Sequence, residues 1–526
     1  MTTPRVVLAL ALLLGGAARG EPLVFLPPVG DNPEASALGD LMHARAERIL
    51  IESGAPAVTN LRHVLAAAEL IHAPPSSWLA GPAPQQIAAL LGARSVVTAR
   101  LRQNAAGYTL ELQRVEGGKA GAASTVPLAP PLASIINEGA RALAAAALGS
   151  PPRAELRFPA TLPPRALTDY ASCLAAVARQ PIVLDSPQVV RTAELDRALA
   201  SCREAIVLAP ELDGAKATLG LALAIFDQAP EAAAALANVP TASYDPSLLL
   251  AHYWLATRYR SADAGLEVLR EAARRFPGSL LARVMLAEHL YVTRQNDAAL
   301  AAWRDVQALA ADSPLTQSRV SALYARLGKY EQAIAMAKAA AQPGDAGGAI
   351  TLASRYLDAG RNPEAIAVLE PIAVDGAPPK AFERLGRAYL RVGQLAKAER
   401  AFERAREDSD RSLAEWRVRG HAFAGLVLVA AARRNDGAVD EVARQARDEG
   451  FAPFLRALND ATITAALERL DAGDRGKTGP RTARVQGPKY VRPTEATPFA
   501  LDPAGEIDPR GHGYKQPPSF IQVLRF

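Results

Sequence analysis

Residues 382–405 read FERLGRAYLRVGQLAKAERAFERA. Apolar side chains recur at helical spacing on both sides of Gly393, so the stretch makes two amphipathic helices broken at that glycine. Yet Gly386 and Ala398 place the smallest side chains in mid-helix, where a larger residue would bury more surface. A helix gives up side chains where a second helix must cross it backbone to backbone. On this reading Gly386 and Ala398 form the crossing point, and Phe382, Leu385, Tyr389 and Phe402 fill the space beside it. Gly393 makes the turn, and Ala405 lets the next helix pair pack.

The same arrangement recurs upstream. One unit carries Leu352, Ala353, Tyr356, Gly360, Ala365, Leu369 and Ile372, and the unit before it Val320, Ser321, Tyr324, Gly328, Ala333 and Ala340. The turn glycines Gly328, Gly360 and Gly393 lie 32 and 33 residues apart. Leu286, Ala287, Leu290, Ala299, Trp303 and Val306 fit again. More degenerate units surround Leu269 and Ala272, and Ala198, Cys202 and Ala205 before Pro210. This pattern resembles the tetratricopeptide repeat (TPR), in which stacked helical hairpins make a solenoid. About seven repeats are expected over 166–472, ending in a capping helix, APFLRALNDATITAALERLDAG, that covers the last apolar face.

Composition agrees with a mainly α chain. Of 526 residues, 49% are hydrophobic but only 5% aromatic, and Ala runs such as AAAALA favour close helix contacts. A formal net charge of +5 is small for this length and offers no concentrated basic face, so nucleic acid is not expected as a partner. The start, MTTPRVVLALALLLGGAARGEP, has Arg5, an apolar run over 6–14, and Ala18 and Gly20 before Glu21. It reads as a signal peptide over 1–20, with an uncleaved anchor as the alternative. No other segment is long and apolar enough to span a bilayer, so the mature chain is expected to have no integral span and to reach the periplasm. Cys173 and Cys202 are the only cysteines and fall in neighbouring predicted helices. They are either two buried thiols or, as an oxidising compartment favours, one disulfide stapling the first repeat.

Residues 21–150 mix strand and helix signals in the order strand, helix, strand, helices, hairpin, helix, which makes a small α/β domain. In the first helix Leu38, Leu41, Met42, Ala46, Ile49 and Leu50 share a face. In RSVVTARLRQ and GYTLELQRVE, Val97, Ala99 and Leu101 face the same way as Tyr108, Leu110 and Leu112. The stretch LLGARSVVTARLRQNAAGYTLELQRVEGGK resembles TolB-amino-terminal and FlgO-like domains, relatives of the CsgG-type fold. That resemblance implies a periplasmic interaction module without catalysis. A Pro-rich linker is expected over 151–165 and a disordered basic tail over 473–526. The tail ends in FIQVLRF, which reads either as a strand for a partner's sheet edge or as a loose apolar end.

No catalytic constellation emerges. The seven histidines (43, 63, 72, 252, 289, 421, 512) are scattered, and GDRGKTG has Asp471 where a phosphate loop needs its first glycine. Neither cysteine has the histidine context of a nucleophile. No enzyme activity, cofactor or metal is therefore expected. What remains is the groove lined by the first helix of each repeat. Carried over position by position, the TPR resemblance points to Val284, Glu288 and Tyr291, then Ser318, Ala322 and Arg326. Ile350, Ser354 and Leu357 follow, then Glu383, Arg387, Leu390 and Arg391. Arg326, Arg387 and Arg391 would hold acidic groups of a ligand. The function expected is an exported scaffold that joins other envelope proteins. A module that binds peptidoglycan or another envelope polymer, with the repeats as spacer, is the alternative, and an enzyme with an unrecognised site comes after it. On the export reading, N-terminal sequencing of protein taken from the native envelope gives Glu21, or a residue one or two away, as the first residue; an intact Met1 in cytoplasmic protein refutes it.

Overall fold

The computed structural model describes residues 21–179, 193–226, 228–341, 345–409 and 413–476. The signal peptide, the stretch PIVLDSPQVV at 181–190, the tail beyond 476 and its FIQVLRF end lie outside these residues. The chain forms two compact units, the first reaching to Arg319 and the second beginning at Val320.

The first unit opens with two short strands, β1 (Val24–Phe25) and β2 (Val29–Gly30), and a long helix, α1 (Pro33–Glu52). Asn32 caps that helix, its side chain accepting from Ala35 N. Helices α2 (Leu61–Leu70) and α3 (Ala83–Leu90) lead to the hairpin β3 (Ser95–Asn104) and β4 (Gly107–Glu116). Short strands β5 (Lys119–Ala120) and β6 (Ser124–Leu128) and helix α4 (Leu132–Leu148) complete the module. β1 and β2 run parallel to β3; β4 pairs antiparallel with β3, β5 and β6. The period-two pattern holds: Val97, Ala99, Leu101, Tyr108, Leu110 and Leu112 are all buried, in one core with the expected apolar face of α1. The strand expected between the first helices is reduced to a bridge at Val58. β6 was not expected, because Pro127 interrupts its pattern.

Helical hairpins follow: α5 (Pro164–Arg179) with α6 (Ala193–Leu208), α7 (Asp213–Ile225) with α8 (Ala229–Leu236), and α9 (Pro246–Tyr259) with α10 (Ala262–Arg275). α11 (Leu280–Val292) pairs with α12 (Asn296–Leu309), and α13 (Pro314–Arg326) contains the boundary between the units. The second unit continues with α14 (Tyr330–Ala340), α15 (Ala346–Asp358), α16 (Asn362–Leu369), α17 (Pro379–Arg391) and α18 (Leu395–Asp408). It ends with α19 (Leu413–Ala432), α20 (Asp436–Asp448), α21 (Ala452–Ala457) and α22 (Ala461–Gly476). The fold is a mainly α, TPR-like solenoid preceded by a small sheet-containing module.

Its turns repeat one geometry. Gly328, Gly360 and Gly393 have φ of 71°, 74° and 79°. In each, the next amide bonds back to a tyrosine carbonyl: Lys329 to Tyr324 at 2.8 Å, Arg361 to Tyr356 at 2.8 Å, Gln394 to Tyr389 at 2.9 Å. This is the left-handed helix cap that satisfies the last free carbonyls. Arg294 and Arg434, each at φ 59°, hold the same place, with Gln295 bonding to Leu290 at 3.0 Å and Asn435 to Ala430 at 3.0 Å. Reading turns by glycine alone misses these two.

The crossing point is equally clear. A Cβ added at Gly386 would lie 2.8 Å from the ring of Phe402, and one added at Gly425 would also strike that ring. Phe402 and Ala398 are fully buried. The same device recurs where Gly220 meets Leu236, 2.6 Å from a Cβ that glycine lacks.

Cys173 on α5 and Cys202 on α6 are bonded, with Cα atoms 5.4 Å apart. Such a cross-link contributes about 2–4 kcal/mol by restricting the unfolded chain.

The Pro-rich stretch 151–165 is not a free tether. Ala154 N bonds Ser53 Oγ at 2.9 Å, and Asn137 brackets Phe158, accepting from its N at 2.8 Å and donating to its O at 2.9 Å. The Arg45 guanidinium stacks on the Phe158 ring at 3.6 Å, and Leu162 belongs to the module's core. Composition marks the prolines, but backbone groups this near a folded surface find partners there.

The crossing geometry makes a measurable demand. Gly386→Leu should overpack against Phe402 and cost about 1–3 kcal/mol, whereas Glu403→Ala on the exposed side of α18 should stay within about 0.5 kcal/mol. Thermal melts of the two variants check this; equal effects would mean that the helices cross elsewhere.

Candidate functional site

In the first unit the positions expected to face a groove are occupied by the chain itself. Val284 on α11 lines a cavity of about 40 Å³ together with Thr59, His63 and Leu91 of the N-terminal module and Trp303 of α12. Glu288 is fully buried and ion-paired with Arg319, whose guanidinium also lies 5.0 Å from the ring centre of Tyr291. These three residues bind one another or the module, so none of them stands open as expected.

The module is held there by polar groups. Val58 N donates to Gly278 O at 2.9 Å, and Ser313 Oγ to Leu90 O at 3.0 Å. Arg62 Nη2 donates to Val177 O at 2.8 Å, at the C-terminal end of α5, where a cation is favoured. At the centre is Glu47. Its carboxylate accepts from Asn60 Nδ2 at 3.0 and 2.9 Å and from Tyr244 Oη at 2.6 Å, and Ser279 Oγ donates to Tyr244 Oη at 2.9 Å. All four side chains are buried. Burial pushes the Glu47 carboxyl up to about 8, against the lowering effect of the Tyr244 and Asn60 hydrogen bonds. Burial likewise raises Asp245, and it lowers His43 to about 3 and His63 to about 4. The sequence reading missed this cluster because its members lie in separate elements up to 232 positions apart, from Glu47 to Ser279.

In the second unit the first helices are closer than an open groove requires. Ile350, Leu357 and Leu390 belong to the hydrophobic core, while Ala322 and Arg326 are half-buried, as is Ser318 at the end of the first unit. Arg387 is not the groove cation expected: it is buried and ion-paired with Glu383 one turn earlier on α17. Glu383 also receives Arg384 Nη1 at 2.8 Å. Burial alone would raise the Glu383 carboxyl, but the charges of Arg384, Arg387 and His421 outweigh it and hold the group below its ordinary value. Arg384 Nε further donates to Ser354 Oγ at 3.1 Å, tying α17 to α15. Arg391 stays partly exposed and donates from Nη1 to Leu357 O at 2.5 Å. The physical reason is spacing. Glu383 and Arg387 stand four positions apart on α17, so they meet on one face of that helix, and the Arg384–Ser354 bond joins that helix to α15.

Among the described residues, no cluster of His, Cys, Asp or Glu is placed to hold a metal, and no helix is long and apolar enough to cross a membrane.

No protein family matches the chain, and no curated protein matches it. Among solved structures it is similar to yeast Tom70, with 12% identity, a TM-score of 0.38, and coverage of 60% of this chain and 65% of that one. It is also similar to the APC/C hetero-tetramer Cut9–Hcn1, with 13% identity, a TM-score of 0.34, and coverage of 64% and 77%. A monomeric IFIT1 mutant with Gppp-AAAA gives 17% identity, a TM-score of 0.28, and coverage of 65% and 67%.

The buried groups set a pH dependence. Glu47 keeps its proton in the fold between its ordinary 4.5 and about 8, so the stability it contributes is full below 4.5 and lost as pH rises through 8. Neutral His43 and His63 act oppositely: their contribution is full above 6.5 and lost as pH falls towards 4 and 3. Melting temperature should therefore fall from pH 6.5 to 8, with a slope of about one proton, or about 1.4 kcal/mol per unit. Glu47→Gln should reduce that slope, while keeping the loss below pH 6.5. An unchanged alkaline slope in this variant would show that Glu47 is not the group responsible.

Proposed function

We propose that the chain is an exported, non-catalytic scaffold that holds other envelope proteins together, with the second unit as its partner-binding part. The observation that carries this reading is the division of labour along the repeats. First-helix residues of α11 are covered by the chain's own module, whereas α15 and α17 leave the polar residues Thr351, Ser354 and Arg391 partly exposed. Stacked hairpins present long surfaces without chemistry of their own, which suits a scaffold. The Arg5-to-Gly20 leader pattern and the bonded Cys173–Cys202 pair support an oxidising compartment such as the periplasm. The resemblance of 21–150 to TolB-amino-terminal and FlgO-like domains supports an envelope setting, with the module acting as an interaction domain.

Site-specific photo-crosslinking in the native envelope tests the reading. A crosslinker at Thr351 on α15 should give discrete protein adducts, and one at exposed Arg270 on α10 should not. Adducts from neither site, together with pelleting of the purified chain on insoluble peptidoglycan, would overturn it in favour of a polymer-binding module.

A further inference from the structure

We infer that the cavity between the N-terminal module and the α11–α12 hairpin binds a small uncharged molecule carrying a hydroxyl group, held between His63 and Trp303. This goes beyond the scaffold reading and does not depend on it. His63 stands on α2 of the module and Trp303 on α12, and both line the cavity. His63 is 4% exposed and Trp303 1%. Among the described residues, neither His63 Nε2 nor Trp303 Nε1 has a hydrogen-bond partner. Two orphaned polar atoms beside one cavity are uncommon in a folded interior, because each has given up water without replacement. The cavity is where a single partner can reach both.

The Thr59 and Ser313 hydroxyls beside it are already engaged. Thr59 Oγ1 donates to Leu23 O at 2.8 Å, and Ser313 Oγ donates to Leu90 O at 3.0 Å and accepts from Thr316 N at 3.4 Å. An indole N–H can only donate, whereas Nε2 of a neutral imidazole donates in one tautomer and accepts in the other. A hydroxyl meets both cases: its oxygen accepts from Trp303, and it either accepts from His63 or donates to it. A charged ligand is disfavoured. Of the described residues that line the cavity, His63 is the one that can ionise near neutral pH, and burial lowers it to about 4. Nothing there would offset the lost solvation of an ion. Leu91, Leu280, Val284 and Val306 make much of the wall apolar, which suits a short branched hydrocarbon. The cavity of about 40 Å³ compares with the ~10–15 Å³ that one water needs, so it takes about three or four non-hydrogen atoms. It opens to solvent on one side, which leaves room for slightly more.

The test uses the full chain labelled at the indole nitrogens and read by NMR. The chain has four tryptophans, and Trp303→Phe identifies the Trp303 signal. Isobutanol is the probe. Isobutylammonium, similar in shape but charged and unable to accept from Trp303, is the control. Isobutanol should shift the Trp303 N–H signal saturably at millimolar concentration and leave the other three indole signals nearly unmoved. The ammonium should give no saturable shift. His63→Leu should weaken isobutanol several-fold, about the worth of one hydrogen bond. Val284→Phe, which fills the cavity, should abolish the shift with the melting temperature at or above that of the unmodified chain. If Val284→Phe fails to fold, His63→Leu alone decides. A Trp303 signal that never saturates, equal binding of the ammonium, or unchanged binding in His63→Leu overturns the inference. So does a crystal structure soaked in isobutanol that shows ordered water only against His63 and Trp303. The scaffold reading, tested at Thr351, is untouched by either result.

Discussion

Everything in the solenoid depends on helices being allowed to touch backbone to backbone. Phe402 shows the constraint most directly: its ring occupies space that side chains at Gly386 and Gly425 would need, on the helices before and after it. One aromatic residue thereby joins α17, α18 and α19. The stabilisation comes from burying Phe402, Leu385 and Tyr389, and the glycines contribute by removing what would obstruct them. This is why a mid-helix glycine, which costs about 0.5–1 kcal/mol against alanine as a matter of propensity, is retained.

The same closeness decides what the first helices can offer a partner. Positions that face open space in a wide superhelix here meet the neighbouring helix or the N-terminal module. Glu288 and Glu383 are therefore parts of buried ion pairs. Breaking one side of such a pair leaves a charge without solvent, so these residues hold the array together whatever else they do.

What could be read from the sequence follows the range of the forces involved. Local periodicity revealed α1, the β3–β4 hairpin and the repeat units, because i to i+4 and i to i+2 patterns arise within one element. The turn at Gly393 was legible and the turn at Arg434 was not, since the left-handed position is marked by glycine only when glycine fills it. The Cys173–Cys202 pairing was legible as a choice between two states because both residues fall on adjacent helices. The packing of 151–165, the burial of Arg387 and the Glu47 cluster were hidden for a common reason. Each depends on which distant surface arrives opposite, and neither composition nor spacing records that.

The Glu47–Tyr244 contact has a consequence for the order in which the first unit can form. The core that includes the β3–β4 hairpin and α1 also takes in Leu212, Ala215 and Tyr244. A ribosome or an export channel delivers those residues about a hundred positions after the last strand, so the N-terminal module cannot finish folding while it is the only part delivered. Its final packing waits for α9 and for the loop at Gly278, which makes the unit a late, long-range closure instead of a bead that folds as it emerges. A chain cut just after α4 would lose Tyr244 as a partner of Glu47 and the packing of α5 on α1, while the side of α1 against the sheet and α4 would stay covered.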